Sequence, residues 1–154
     1  MVSLDDLDRH ILLELQGNGR LTNQELADRV GLSPSPCLRR VRRLEDAGVI
    51  SGFAAVLSPA VLGLPITAFV RLTLDSHAAQ VVSAVEERLR SIPEIIEAHL
   101  LAGDADYQVK IVVESFPAYE DLLKRELRDI PHLSSITTTF AFAVIKPASP
   151  LPIP

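Results

Sequence analysis

The spacing of apolar side chains changes at Ile66. Upstream they recur every three or four residues. From Ile66 to Leu74 they fall on every second one, with Thr67, Phe69, Arg71 and Thr73 between them. The first spacing lines one stripe of a helix, the second one face of a strand. A chain that switches between them holds two kinds of layer. This predicts an α+β protein with a helical domain over residues 1–50, a connection over 51–63 and a sheet domain over 64–146. With 154 residues, 47% of them hydrophobic, both parts have apolar side chains enough for a core.

Composition narrows the setting. No apolar run approaches the ~20 residues of a membrane helix. The start, MVSLDDLDRH, is acidic and amphipathic, where a signal peptide is basic and apolar. The single cysteine, Cys37, has no partner for an internal disulfide, and no Cys/His cluster has zinc-ligand spacing. A cytoplasmic protein without metal or cofactor is expected.

In the helical part, Leu4, Leu7, Ile11, Leu12 and Leu15 form one stripe over residues 4–16, and Gly17-Asn18-Gly19 ends it. Asp5, Asp6 and Asp8 fall in the first turn, where the helix dipole favours negative charge. A second short helix starts at a capping box of Thr22 and Glu25 and stops at Gly31. A third has Ser33 as N-cap and Pro34 in its first position, runs to about Ala47 and leaves through Gly48. On it Cys37, Leu38, Val41 and Leu44 share the buried face. Arg39 points the opposite way, with Ser35, Pro36, Arg42 and Arg43 around it. Arg40 lies on the flank, near Glu45 and Asp46 as pairing partners. Val49, Ile50 and Phe53 read as a short strand or wing.

Four arginines within residues 39–43 stand out on a chain of net charge -5. Three short helices, the last buried on one face and cationic on the other, describe a helix-turn-helix whose final helix enters a DNA major groove. Arginine suits that task because its planar fork pairs with guanine or grips phosphate. A merely solvated basic face is the alternative that the spacing leaves open.

After the strand at 66–74, AAQVVSAVEERLR reads as a helix and residues 95–102 and 107–114 as strands joined by Gly103-Asp104-Ala105-Asp106. FPAYEDLLKRELRD reads as a helix with Phe116, Tyr119, Leu123 and Leu127 on its stripe, and SSITTTFAFAVIK as a long last strand. LRSIPEI at 89–95 and LRDIPHL at 127–133 echo each other as helix exits into strands. Two related halves give βαββαβ, a ferredoxin-like sandwich with helices on one face. The other face, with Phe69 and a ladder of threonines and alanines, is expected to pack against a second subunit. Residues 147–154, PASPLPIP, read as an extended tail without a fold of its own.

These segments together resemble the Lrp/AsnC, or feast/famine, family of transcription regulators. The resemblance is carried by LDDLDRHILLEL, GRLTNQELADRVGLSPSPCLRRVRRLEDAGVISGF, LSPAVLG and AGDADYQVKIVV, in order over nearly all of residues 4–146. It implies a winged-helix-like DNA-binding domain and an ACT-like (RAM) ligand-binding domain. It further implies homodimers assembling into octamers or similar rings, and a small effector, usually an amino acid, held between neighbouring dimers. Carried onto this chain, the DNA surface is Ser33, Ser35, Pro36, Arg39, Arg40, Arg42 and Arg43, with Asn23 and Gln24 as phosphate contacts. The effector loop is Gly103, Asp104, Ala105, Asp106 and Tyr107, faced by Thr137 and Thr139 of a neighbouring subunit. Ala105 stands where the family often carries an aromatic residue.

Cys37 reads as a packing residue, and His10, His77, His99 and His132 as surface or structural groups. A different function accompanies the same architecture in siroheme decarboxylases. Such an enzyme needs a basic, histidine-bearing pocket, whereas the arginines here concentrate on the third helix.

Overall fold

The computed structural model describes residues 3–154, which divide into two units. One holds the chain up to Val56 together with residues 145–154, and the other runs from Leu57 to Val144.

The first unit is built on α1 (Asp6–Gly17), α2 (Asn23–Val30) and α3 (Pro34–Asp46). Ile11, Leu12, Leu26, Ala27, Val30, Cys37 and Leu44 form its core, with Val41, Val49 and Ile50 packed at the edge. Both bonds of the Thr22–Glu25 capping box are present, and Gly31 closes α2 at φ +71, a conformation that disfavours a side chain. Ser33 occupies the N-cap of α3 without a side-chain bond. Pro34 and Pro36 explain this, since they remove two of the three N–H groups in that first turn.

Two expectations change here, and a third gains a contact. Leu38 is exposed, because Cys37, Val41 and Leu44 already fill the seam. Residues 49–53 form no strand. The N–H groups of Val49 and Ile50 both donate to the Leu44 carbonyl (2.9 and 3.1 Å), so they are used in turning the chain off the helix. The tail forms no regular element, yet its end lies along α1. The Gln16 Nε2 donates to the Leu151 carbonyl (3.1 Å), the Leu151 N–H donates to Gln16 Oε1 (2.6 Å), and Ile153 packs on the core.

The second unit runs β1 (Ile66–Leu74), α4 (Ala79–Ser91), β2 (Ile95–Leu100), β3 (Tyr107–Val113), α5 (Phe116–Leu122) and β4 (Leu133–Phe140). The strand order is β2-β3-β1-β4 and every pairing is antiparallel, which is the expected βαββαβ sandwich. Ala68, Val70, Leu72, Val109 and Ile111 pack against Val85, Leu89, Tyr119, Leu122 and Leu127. The sequence echo has a structural counterpart: Leu89 and Leu127, and likewise Ile92 and Ile130, are all buried in this one core.

α5 continues through a π-helical turn over Leu123–Leu127, closed by the Arg128 N–H on the Leu123 carbonyl (3.0 Å). The extra residue puts the buried Leu122 and Leu127 five apart, so the simple stripe through Leu123 does not hold. Phe116, expected on that stripe, sits exposed at the rim, edge-on to Phe140 at 5.0 Å. β4 ends at Phe140, short of the long strand expected. Ala141 makes the last bond, to the Thr67 carbonyl (2.9 Å), and Ile66 pairs with β3 alone. The uncovered face carries Phe69, Arg71, Thr67, Thr73, Thr137 and Thr139 by register. The alanines are not part of it: Ala68 lies in the core, and Ala141 and Ala143 lie beyond β4.

Leu72 is fully buried at the centre of this core. Leu72→Ala should lower the unfolding free energy by about 2–5 kcal/mol, read from the sheet unit's transition in urea.

Candidate nucleic-acid interface and effector loop

The orientation of α3 depends on α1. Asp5 caps α1 and shares a reciprocal capping box with Asp8. The Asp8 carboxylate, with no solvent exposure, accepts from Arg40 Nη1 on one oxygen (2.8 Å) and from Arg43 Nη2 on the other. Arg40 also donates to Asp5 (2.7 Å). Arg40 therefore pairs with Asp5 and Asp8, not with Glu45 and Asp46, because its flank faces α1. The Asp8 N–H, then Arg40, hold the Asp5 carboxyl below its ordinary range, and Asp5 and Asp8 push the Arg40 guanidinium higher still. A buried carboxylate needs this many donors to offset its lost hydration.

Two arginines are thus committed to the fold and two are not. Arg39 and Arg42 are exposed and make no ion pair among the described residues. With Ser35, Leu38, Arg43 and Asp46 they line one shallow hollow on the outer side of α3. Arg43 remains half exposed, with donors to spare. Asn23 turns inward, its Nδ2 donating to the Pro34 carbonyl (2.8 Å), which ties the start of α2 to the start of α3. Gln24 is exposed and donates to Asp28 (2.9 Å). Cys37 is fully buried, and burial pushes its thiol up, away from thiolate chemistry. Asp8 escaped the sequence reading because three acids at a helix start already have an explanation in the dipole.

In the second unit, residues 101–106 link β2 to β3. Asp106 accepts from the Leu74 N–H (2.7 Å) and lies 2.7 Å from His77 Nε2. The Leu74 bond first, and His77 second, hold its carboxyl below the ordinary 3.8. Asp106 is therefore an internal brace, while Asp104 is exposed and only 3.5 Å from Arg71 on the uncovered face. An exposed pair of this kind is worth about 0–1 kcal/mol. Arg71, not singled out from sequence, brings a guanidinium to the loop. Ala105, where the resemblance leads one to expect an aromatic group, is buried.

The sheet separates the remaining residues. Tyr107 points to the helix-covered side and is buried, whereas Thr137 and Thr139 lie on the uncovered face. Within one chain they do not converge. The Tyr107 hydroxyl is buried with no hydrogen-bond partner among the described residues, and Tyr107 lines a groove of about 400 Å³ between α4 and β2 together with Glu86, Arg90, Ile96 and Leu100. Burial, then the Glu86 and Asp106 carboxylates, push the Tyr107 phenol up. His132 contacts Asp75 (2.8 Å), a structural pairing like that of His77.

A helix-turn-helix with a free arginine edge, joined to a ferredoxin-like domain with a polar loop and an open groove, defines a two-domain DNA-binding regulator with a ligand-binding half. Residues 4–51 match the winged helix-turn-helix DNA-binding family, and residues 67–151 match the Lrp/AsnC ligand binding domain. The leucine-responsive regulatory proteins of Escherichia coli (strain K12) and Klebsiella pneumoniae are each 42% identical over 150 residues, which is 97% of this chain and 92% of theirs. A Neisseria meningitidis transcriptional regulator solved with L-Met superposes with a TM-score of 0.91 at 37% identity, covering 97% of both chains. E. coli AsnC gives 0.87 at 29% identity, covering 96% of this chain and 98% of its own. The chain belongs to the Lrp/AsnC family of DNA-binding transcriptional regulators. The siroheme decarboxylase alternative finds no support among these relatives.

Asp8→Ala should destabilise the helical unit by about 1–3 kcal/mol, since it removes the buried carboxylate that bonds both guanidinium groups, and calorimetry reads this directly. The lowered Asp106 pKa has a definite sign. Its stabilisation is present above the unfolded value near 3.8 and is lost as pH falls through the folded value. Asp106→Asn should therefore remove part of the stability lost in acid below pH 3.8, as seen by comparing acid titrations of the two proteins.

Proposed function

We propose that this regulator reads duplex DNA through the outer edge of α3 and that an amino acid, bound at the sheet domain, alters its assembly or DNA affinity. One observation carries the DNA reading: Asp8 clamps Arg40 and Arg43, while Arg39 and Arg42 stay unpaired on the outward side. Ser33, Ser35 and Pro36 at the helix start let the backbone approach the groove, and Gln24 approaches phosphate. Arg40 acts from the flank, Arg43 through its spare donors, and Asn23 by setting the angle between α2 and α3.

The effector reading is supported by the relatives, one called leucine-responsive and one solved with L-Met. On this chain the loop of Gly103, Asp104, Ala105, Asp106 and Tyr107 offers N–H groups and the Asp104 carboxylate. Thr137 and Thr139 complete the site from a neighbouring copy, since within their own chain the sheet lies between them and Tyr107. The threonine-rich uncovered face, with Phe69, is the dimer surface in this reading. Dimers then build an octamer or a related ring. No helix among the described residues is long and apolar enough to cross a membrane, in keeping with a place in the cytoplasm.

Fluorescence anisotropy with duplex from upstream of the protein's own gene, against a scrambled duplex at two salt concentrations, tests the DNA reading. Selective binding that weakens steeply with salt is expected, because several phosphates are neutralised. Arg39→Ala should cost about 1–3 kcal/mol of affinity for the specific duplex. Unchanged affinity and selectivity would remove Arg39 from the interface.

A further inference from the structure

We propose that α1 and residues 49–54 form a docking site for this chain's own residues 151–154. Seated there, the segment holds α1 where Asp8 can grip α3. The second half of this proposal rests on the DNA-binding reading, and the first does not.

The site is both polar and apolar. The Gln16 side-chain amide meets Leu151 as a strand neighbour would, donating to its carbonyl and accepting from its N–H. Arg9 Nε donates to the Pro154 carbonyl (2.6 Å). Arg9 and Gln16 stand seven residues apart, two helical turns, and so lie on one face of α1. Between them Ile153 packs on the core, over a groove of about 640 Å³ bordered by Leu4, Leu12, Leu15, Val49, Ile50 and Phe53.

The sequence of the segment suits this seat. In Pro150-Leu151-Pro152-Ile153-Pro154 only Leu151 and Ile153 carry an N–H, and Gln16 takes the first. The prolines restrict the backbone to extended conformations before docking, so less entropy is lost when it docks. The grip on α1 also reaches α3. Arg9 follows Asp8 directly, so the same first turn that receives the tail carries the carboxylate clamped by Arg40 and Arg43. The docked segment continues from β4, the strand that bears Thr137 and Thr139. The ten residues 141–150 between them span at most ~33–36 Å.

Amide hydrogen exchange on the full chain tests the seat. The Leu151 amide should exchange about tenfold more slowly than in a free peptide, the protection one net hydrogen bond supports, and Gln16→Ala should abolish this. A Leu151 amide exchanging at the free rate overturns the proposal. Removing residues 147–154 should speed exchange in α1 and weaken specific DNA binding several-fold. Unchanged α1 exchange in that variant overturns the holding role. Should the intact protein bind no DNA, the DNA reading fails, and α1 exchange still decides the strap.

A mixed sample identifies which copy supplies the segment. Chains with Gln16→Ala and an intact tail are refolded together with chains that keep Gln16 but lack residues 147–154. Docking within one chain leaves the Leu151 amide unprotected in the mixture. Protection regained there means exchange between copies and overturns docking within the chain.

Discussion

One carboxylate without solvent exposure sets the geometry of the DNA-binding unit. Asp8 takes a guanidinium on each oxygen and the Asp5 N–H besides, so α3 meets α1 at fixed points along its length. The capping box at the start of α1 holds Asp8 in place through its own backbone. Hydrophobic contact around Ile11, Cys37 and Leu44 brings the helices together but is indifferent to small rotations. The ion-pair cluster removes that freedom. It also divides the arginines into two that hold the helix and two that face outward, a division that sequence position alone does not make.

The second unit is organised by β1, which pairs with β3 on one side and β4 on the other. Its alternating pattern gives one face to the helices and leaves Phe69, Arg71 and the threonines on the other. Because β2 is an edge strand, the core cover thins there, and a groove opens beside Tyr107. Features suited to binding are thus found where the antiparallel order leaves something uncovered. The two faces are chemically different: one mixes aliphatic side chains with Glu86, Arg90 and a free phenol, the other is rich in hydroxyls.

Elements with a strong period were legible in the sequence. The three helices, their caps at Thr22 and Gly31, and the βαββαβ order follow from spacing and from glycine and proline chemistry. What was not legible depended on partners far along the chain. The Asp8–Arg40 pair joins residues 32 apart, and Gln16 meets Leu151 at a separation of 135. The π turn displaced the stripe of α5 by one residue, and no local signal in LLKREL announces it. β4 ended at Phe140 although its composition stays β-rich and β1 runs on to Ile66. Of the candidate site residues, Arg39, Arg42 and Ser35 were found on one surface as spacing suggested. Asn23 and Asp106 turned inward, since a side chain's choice between solvent and a backbone group depends on tertiary distance.

The first unit is discontinuous: it takes in residues 145–154, and the whole sheet unit lies between its two parts. During synthesis α1, α2 and α3 leave the ribosome before the sheet unit, yet the segment that covers α1 is made only after it. The helices must persist through the synthesis of some ninety residues with the Leu12, Leu15 and Ile50 surface uncovered. Only a completed sheet unit delivers the covering segment. The final packing of the DNA-binding half thereby becomes a report that the other half has been made.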